Sequence, residues 1–208
     1  MKLSKHVHSC LLVEEAGKRF LFDPGNYTFE ENGLDVDAIP SLDYLLITHE
    51  HQDHMYLPLI KKVVTKFPDV KIFSNKSVLD ILGKKGIKAS SKGDDLVSLE
   101  EISHERIFSG PVPQNVMITI NSKLTHPGDS HHLQTPAPIL ALPVQASWGS
   151  TTDAVELAVR LKPKVIIPIH DWHWNEQARS LMYKRLEDYF ANIGIKFIGL
   201  TTGQEIEI

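Results

Sequence analysis

The sequence predicts an α/β fold in which sheets are covered by helices on their outer faces. Short apolar runs typical of β-strands recur along the chain, and amphipathic helical patterns lie between some of them. With 208 residues the chain is long enough to bury a sizeable core, and its length favours a single domain over residues 1–208. We therefore expect one layered α/β domain.

The predicted strands are short apolar runs bounded by polar or turn-forming residues. They are expected at residues 6–13, 18–23, 43–48, 70–73, 95–100, 116–120, 139–144, 164–169 and 195–200. The single cysteine, Cys10, lies in the first run and is expected to be a buried strand residue, because one cysteine alone cannot form an internal disulfide.

Three amphipathic helices are predicted between and after these strands. The first ends before Pro68, and its apolar residues at helical spacing are Leu57, Ile60, Val64 and Phe67. The second covers residues 152–161, and Ser150 with Asp153 predicts a capping box at its start. The third is the longest and ends at Gly194; its apolar stripe consists of Ala178, Leu181, Met182, Leu186, Tyr189, Phe190 and Ile193.

Composition and charge argue against several classes of protein. Hydrophobic residues make up 42% of the chain and charged residues 23%, so neither disorder nor a fibrous fold is expected. The net charge of -4 argues against a general nucleic-acid binder. The sequence contains no signal-peptide core and no run of roughly 20 apolar residues. We therefore expect a cytoplasmic protein with no membrane or nucleic-acid partner.

The strongest chemical signal is a cluster of metal-ligand residue types at the end of a predicted strand. It consists of His49, His51, Asp53 and His54. In an extended chain alternate residues point the same way, so His49 and His51 can bind one ion together. Asp53 and His54 are neighbours that point apart, which favours a second ion. The alternative is an exposed polar loop, and the density of ligand types argues against it.

Two ions need further ligands from elsewhere in the chain. For the first ion the candidate is His104, because no other histidine lies between His54 and His126. His104 also follows the strand predicted at 95–100. The alternative is a surface histidine on a turn.

For the second ion the candidate is His170, which directly follows the strand predicted at 164–169. His173 competes with it but lies beyond the strand end, so His170 is preferred. The segment that leads to His49 has the same plan, since there too an apolar strand runs directly into histidine and aspartate.

Asp129 is the candidate that bridges the two ions. A Pro-Gly turn brings it to the sheet edge. Its two carboxylate oxygens can contact two ions roughly 3.5 to 4 Å apart, which an imidazole does less well. The neighbouring histidines are weaker candidates. We expect His126 to support the site or the fold, and His131 and His132 to lie at the rim or on the surface.

These residues resemble the HxHxDH signature of the metallo-β-lactamase fold superfamily. The signature matches residues 49–54, and the other motifs match in order at Phe22-Asp23-Pro24-Gly25, His104, Gly128-Asp129 and His170. The resemblance extends from His8 to the end of the chain. Within the superfamily, the segment from His126 to Ser130 and the compact length are most similar to the branch of the ascorbate-phosphate lactonase.

The resemblance implies a four-layer αββα sandwich with two metals at one edge of the paired sheets. In this arrangement His49, His51 and His104 would hold the first metal, Asp53, His54 and His170 the second, and Asp129 would lie between them. Asp23, His8 and His126 would support these ligands, although Asp23 is equally well explained as a turn residue. Because flavodiiron relatives carry glutamate at the position of His51, the resemblance favours two Zn²⁺ ions, with Mn²⁺ or Fe²⁺ as alternatives.

The expected chemistry is metal-dependent hydrolysis of a small-molecule substrate. Two divalent ions that share a water lower its pKa and supply a bridging hydroxide, so no serine or cysteine nucleophile is needed. Asp53, Asp129 and His170 are the residues expected to be catalytic. A lactone, ester or phosphoester bond is the expected target.

Two other functions compete with this prediction. A phosphodiesterase or nuclease of the same fold would need a basic surface or a recruiting insertion, and the sequence shows neither. A metal-binding redox protein would be recognised by bound iron and by absence of turnover. Several residues near the metal motifs are candidates for the substrate pocket, although packing at the sheet edge explains the tryptophans equally well; they are Tyr56, Gln114, Asn115, Trp148 and Trp172.

Overall fold

The computed structural model describes residues 1–108 and 110–208. Its strands are β1 (Lys2–Lys5), β2 (Leu11–Glu15), β3 (Lys18–Phe22), β4 (Tyr44–Leu46), β5 (Lys71–Phe73), β6 (Val97–Glu101), β7 (Val116–Ile120), β8 (Leu124–His126), β9 (Ile139–Pro143), β10 (Val165–Ile169), β11 (Lys196–Phe197) and β12 (Glu205–Glu207). Its α-helices are α1 (Asn26–Glu30), α2 (Leu57–Lys66), α3 (Lys76–Gly83), α4 (Thr151–Leu161) and α5 (Glu176–Ala191), and a short 3₁₀ helix covers Val36–Ala38.

The strands form two sheets with related plans. The first sheet has the order β12-β1-β2-β3-β4-β5, and the second has the order β11-β10-β9-β8-β7-β6. In the first sheet β1 to β3 are antiparallel, while β3, β4 and β5 are parallel. In the second sheet β6 to β8 are antiparallel, while β8 to β11 are parallel. Each sheet therefore joins an antiparallel meander to a parallel part.

Apolar side chains fill three layers, and this confirms the predicted αββα sandwich. The central layer contains inward-facing residues of both sheets, among them Phe20, Phe22, Ile118 and Ile167. The outer face of the first sheet packs against α2 and α3, and the outer face of the second packs against α4 and α5. Within the described parts of the chain, no helix is long and apolar enough to cross a membrane.

The first predicted strand, residues 6–13, was wrong in its bounds. The chain forms two strands here, Lys2–Lys5 and Leu11–Glu15, with a turn between them. Val7 and His8 have φ angles of 66° and 54°, which lie in the left-handed region and not in the β region. Cys10 is fully buried as expected, but it lies just before β2 rather than within a strand.

The three predicted helices are present with shifted ends. The capping box at Ser150 is confirmed, because its side chain accepts from the Asp153 backbone and the Asp153 side chain accepts from the Ser150 backbone. The predicted stripe of α5 is only partly buried: Leu186 and Phe190 are in the core, whereas Leu181 is 53% exposed. Helices α1 and α3, which are short, were not predicted from the sequence.

The capping box provides a test of helix α4. Ser150→Ala removes the hydroxyl that satisfies the backbone N–H of Asp153, so we expect the free energy of unfolding to fall by about 1 kcal/mol. Ser180→Ala, an exposed position inside α5, is the matched control and should change it by less than about 0.5 kcal/mol. Urea denaturation measures both values, and equal losses in the two variants would contradict the assignment.

Candidate metal centre

Five loops meet at one edge of the two sheets; four of them carry the predicted metal ligands, and the loop after β1 carries His8. The loops after β1 and β4 belong to the first sheet, and those after β6, β8 and β10 belong to the second. Backbone hydrogen bonds join these loops, from Glu105 N–H to Asp129 O (2.8 Å) and from His170 N–H to His8 O (3.3 Å). Neighbouring loops therefore hold one another in place.

The donor atoms at this edge form two groups, and within each group they lie within 4.8 Å of one another. One group contains His49, His51, His104 and Asp129, and the other contains His8, Asp53, His54 and His170. Asp129 contacts both: its Oδ2 lies 3.5 Å from His104 Nε2, and its Oδ1 lies 3.0 Å from His54 Nε2. The structure thus places Asp129 between the two groups, as expected for a bridging carboxylate.

In three of the histidines a hydrogen bond fixes Nδ1, and the second ring nitrogen, Nε2, is left to bind a metal. The Nδ1 of His54 lies 2.7 Å from Asp23 Oδ2, that of His104 lies 2.6 Å from Glu105 O, and that of His170 lies 2.7 Å from Gln145 O. Because these oxygens accept, each Nδ1 carries the hydrogen. Among the residues that the structure describes, the three Nε2 atoms are buried and have no hydrogen-bond partner. Buried lone pairs fixed in this way are the arrangement that metal-binding histidines show.

His49 and His51 are oriented in a related way. The Thr48 hydroxyl donates to Asp23 Oδ2 (2.7 Å), so it accepts from His49 Nδ1 (3.0 Å) and leaves Nε2 free. That Nε2 lies 3.2 Å from His51 Nδ1. Two nitrogens bound to one tetrahedral zinc would lie about 3.3 Å apart, so this pair fits one ion.

Asp23 supports the site and also occupies a turn. Its φ is 41°, and its Oδ1 accepts from Thr48 N–H at 2.7 Å. The following residues pack against the metal-binding loop: a Cβ on Gly25 would lie 1.8 Å from the carbonyl oxygen of Asp53. Only glycine fits at position 25, because a larger residue would push this loop away.

The buried carboxylates raise the pKa values of two of these histidines. Burial lowers the pKa of His54, but Asp129, Asp23 and Asp53 outweigh it and raise that pKa well above its usual value. The pKa of His170 is raised for the same reasons, with Asp129 as the main partner. Burial raises the pKa of Asp129, yet His170 and His54 hold it well below its usual value. A metal cation that binds to these histidines must displace any proton on the nitrogen that it contacts.

His126 lies beside both groups but belongs to neither. Its Nε2 is 3.0 Å from Ser9 O, and its Nδ1 accepts from Gly128 N–H at 3.2 Å. Both ring nitrogens are therefore engaged in holding the loop after β8. Gly128 has a φ of +62°, and a Cβ there would lie 2.1 Å from Asn115 Oδ1, so this turn also requires glycine.

The remaining histidines lie outside the two groups. His131 Nε2 is 3.1 Å from Pro143 O, and the side chain of His132 is 56% exposed. His173 is exposed, with its ring centre 6.3 Å from that of His170. The structure thus brings His170 rather than His173 to the donor cluster.

Two of the three tryptophans flank the donors. Trp148 donates from Nε1 to Asp129 Oδ2 (2.9 Å), and its ring centre lies 5.3 Å from that of His170. Trp172 stacks on Tyr27 with ring centres 3.8 Å apart and donates to Glu31. Trp174 packs instead against the core under α5.

The other pocket candidates occupy two different places. Tyr56 packs its ring against Phe29, with ring centres 5.2 Å apart. Gln114 and Asn115 line a cavity of about 350 Å³ that also contacts His104. Asn115 is buried, and its amide donates to Pro127 O at 2.9 Å, so it holds the loop after β8 as well.

A buried charged cluster that was not predicted from the sequence lies directly behind His170. Lys5 Nζ lies 2.7 Å from Asp171 Oδ1, and Arg179 Nε lies 3.1 Å from Asp171 Oδ2. Tyr183 donates its hydroxyl to the same carboxylate. Burial lowers the pKa of Lys5. The His-Asp pair at 170–171 was visible in the sequence, but its partners are too distant along the chain to be predicted.

Comparison with known proteins identifies the relatives of this chain. Residues 2–170 match the family model described as the beta-lactamase superfamily domain. A Mycobacterium tuberculosis protein is 28% identical over 204 residues, covering 90% of this chain and 92% of its own. A UPF0173 metal-dependent hydrolase of Carboxydothermus hydrogenoformans is 26% identical over 198 residues, covering 84% and 86%.

Solved structures share the fold. A metallo-beta-lactamase fold protein from Bacillus subtilis superimposes with a TM-score of 0.71 at 13% identity, over 100% of this chain and 98% of its own. A metallo hydrolase from Ignicoccus hospitalis gives a TM-score of 0.70 at 20% identity over the same shares. The αββα sandwich is thus of the metallo-β-lactamase type, as predicted. None of the proteins named here is described as a lactonase, so the resemblance to that branch stays a prediction.

The difference between His104 and His126 can be tested by metal analysis. His104→Ala removes a free, buried Nε2, and we expect the purified, zinc-reconstituted protein to lose about one ion per chain. His126→Gln is the matched control; it changes a histidine whose nitrogens are both engaged and should retain both ions. Elemental analysis measures the content, and the opposite pattern would show that His126 is the ligand.

The hydrogen bond from Trp148 to Asp129 predicts an optical signal. A metal bound at Asp129 competes with the indole N–H for Oδ2, so adding zinc to chelator-treated protein should change tryptophan emission. Most of the change should disappear in Trp148→Phe and persist in Trp174→Phe, which alters a tryptophan packed in the core. An equal change in both variants would rule out this contact as the reporter.

Proposed function

The chain belongs to the beta-lactamase superfamily, and on this premise we propose that it is a metal-dependent hydrolase with two divalent ions. We propose further that it cleaves a lactone, ester or phosphoester bond in a small substrate. The observation that carries the proposal is the donor geometry: two groups of donor atoms that meet at Asp129. The name of the Carboxydothermus relative, a metal-dependent hydrolase, supports it.

The donor set fits zinc. Five of the seven donors carried over from the signature are imidazoles and two are carboxylates, a combination that suits Zn²⁺, while Mn²⁺ and Fe²⁺ remain outcomes of metal analysis. When bound, two such ions supply Lewis acidity and lower the pKa of a shared water enough to provide hydroxide near neutral pH. Within the described residues, three buried Nε2 atoms have no hydrogen-bond partner, which supports a role as metal ligands.

Access to the site lies on the side of Asp53 and His51. The Asp53 side chain is 22% exposed and His51 is half-buried, whereas the other donors of the signature are buried. A substrate therefore meets these two residues first. Asp53 is the carboxylate placed to accept a hydrogen bond from water at this open face and to orient it toward the substrate. Asp129 and His170 line the buried side of the site, opposite this open face.

The surroundings of the donors favour a small substrate of low charge. Within the described chain, every ion pair that Asp53 or Asp129 makes is with a histidine. The stretches 48–56, 126–135, 145–152 and 168–178 contain no Lys or Arg. Polyanion-binding sites normally supply cationic side chains for flanking phosphates. Aromatic rings border this site instead, namely Trp148 and Tyr27, and they suit an apolar substrate portion.

A substrate panel tests the proposed function. Zinc-loaded protein should turn over a lactone or simple ester, lose activity with a chelator, and change rate by less than about threefold between 50 and 200 mM salt. Asp53→Asn should abolish most turnover, while Asp35→Asn, an exposed acidic position, should not. Absence of bound metal after reconstitution would refute the proposal. Preferred cleavage of long RNA or DNA that falls steeply with salt would favour a nuclease.

A further inference from the structure

A strained turn places His8 in the metal centre. Val7 and His8 both have left-handed backbones, with φ of 66° and 54°. For a β-branched residue such as valine this conformation is an outlier, and such strain persists only where surrounding contacts hold it. The contacts are present: His6 N–H donates to Cys10 O (2.7 Å), and Thr28 Oγ1 donates to His6 O (2.7 Å).

The turn directs the His8 ring at Asp53. His8 is 1% exposed, and its Nε2 lies 3.2 Å from Asp53 Oδ2. A ring nitrogen of His8 also lies within 4.8 Å of a donor atom of His54 and of one of His170. By distance alone His8 could be either a further metal ligand or a hydrogen-bond donor to one.

The other ring nitrogen of His8 distinguishes the two roles. The backbone N–H of Trp172 points at His8 Nδ1 from 3.4 Å, so Nδ1 accepts and Nε2 must carry the hydrogen. His104 and His170 show the reverse, because their Nδ1 atoms face carbonyl oxygens. An Nε2 that carries hydrogen cannot bind a metal but can donate to a carboxylate.

We propose that His8 is a positioning residue that donates its Nε2–H to Asp53 Oδ2 and fixes the orientation of that carboxylate. Within the described chain, this is the hydrogen bond made by the Asp53 side chain. Asp53 is the most exposed carboxylate among the donors, so without His8 its side chain has rotamers open to it on the solvent side. The left-handed backbone at residues 7–8 directs the His8 ring to this contact.

The proposed role of His8 rests on the proposed two-metal function. An NMR measurement distinguishes a failure of the His8 proposal from a failure of that function. A long-range ¹H–¹⁵N correlation spectrum distinguishes the two neutral histidine tautomers and is recorded on chelator-treated and on zinc-loaded wild-type protein. We expect His8 in the Nε2–H form in both, with its signals assigned by their loss in His8→Gln. An Nδ1–H form with a zinc-shifted Nε2 would make His8 a ligand and overturn the proposal. A wild-type protein that binds no zinc would instead refute the proposed function.

Variants test the consequence for metal binding. His8→Leu removes the donor, and by competition with a chelator we expect the weaker of the two zinc ions to bind about 10- to 100-fold less tightly. His8→Gln can still donate and should restore affinity close to wild type. The matched control His173→Gln changes an exposed histidine nearby and should have no effect. Unchanged affinity in His8→Leu, or no rescue by glutamine, would overturn the proposal.

Discussion

The arrangement of this molecule depends on one buried carboxylate, Asp23. It accepts hydrogen bonds from the backbone and hydroxyl of Thr48 and faces Nδ1 of His54. These contacts join the end of β3 to the end of β4 and set the direction of the loop that carries the HxHxDH residues. Through Thr48 the same carboxylate also fixes His49. A carboxylate is suited to this role, because its two oxygens accept several hydrogen bonds at once. Asp23 thus fixes the positions of two donors, His49 and His54, although it belongs to neither donor group.

Much of the site could be predicted because its donors lie at the ends of apolar strands. The residue types after β4 and β10 marked His54 and His170 as candidate ligands, and the resemblance to a known signature indicated that these two strand ends, which belong to different sheets, meet at one site. The helices followed from spacing and from the capping box at Ser150, which involves only neighbouring residues. Local patterns of this kind are visible in a sequence, since the residues that interact are close along the chain.

The other features of the site and the fold depend on contacts that cannot be inferred from residue types. The acceptors for His104 and His170 are backbone carbonyls, of Glu105 and Gln145, and every residue has a carbonyl. The turn at Val7 and His8 looked like a continuous strand, because valine ordinarily favours strands and here adopts a left-handed conformation. The buried Lys5–Asp171 pair joins residues 166 positions apart. Tertiary structure decides each of these features, and local preference is overridden.

Each donor group draws side chains from both sheets. His49 and His51 follow a strand of the first sheet, while His104 and Asp129 follow strands of the second; Asp53 and His170 divide in the same way. A bound ion would therefore be a cross-link between two sheets that also meet through apolar packing, loop contacts and ion pairs such as Lys5–Asp171. Because each ion would be held by side chains from both sheets, complete unfolding would break the same ligand contacts that hold the metal, and a bound metal would therefore slow unfolding.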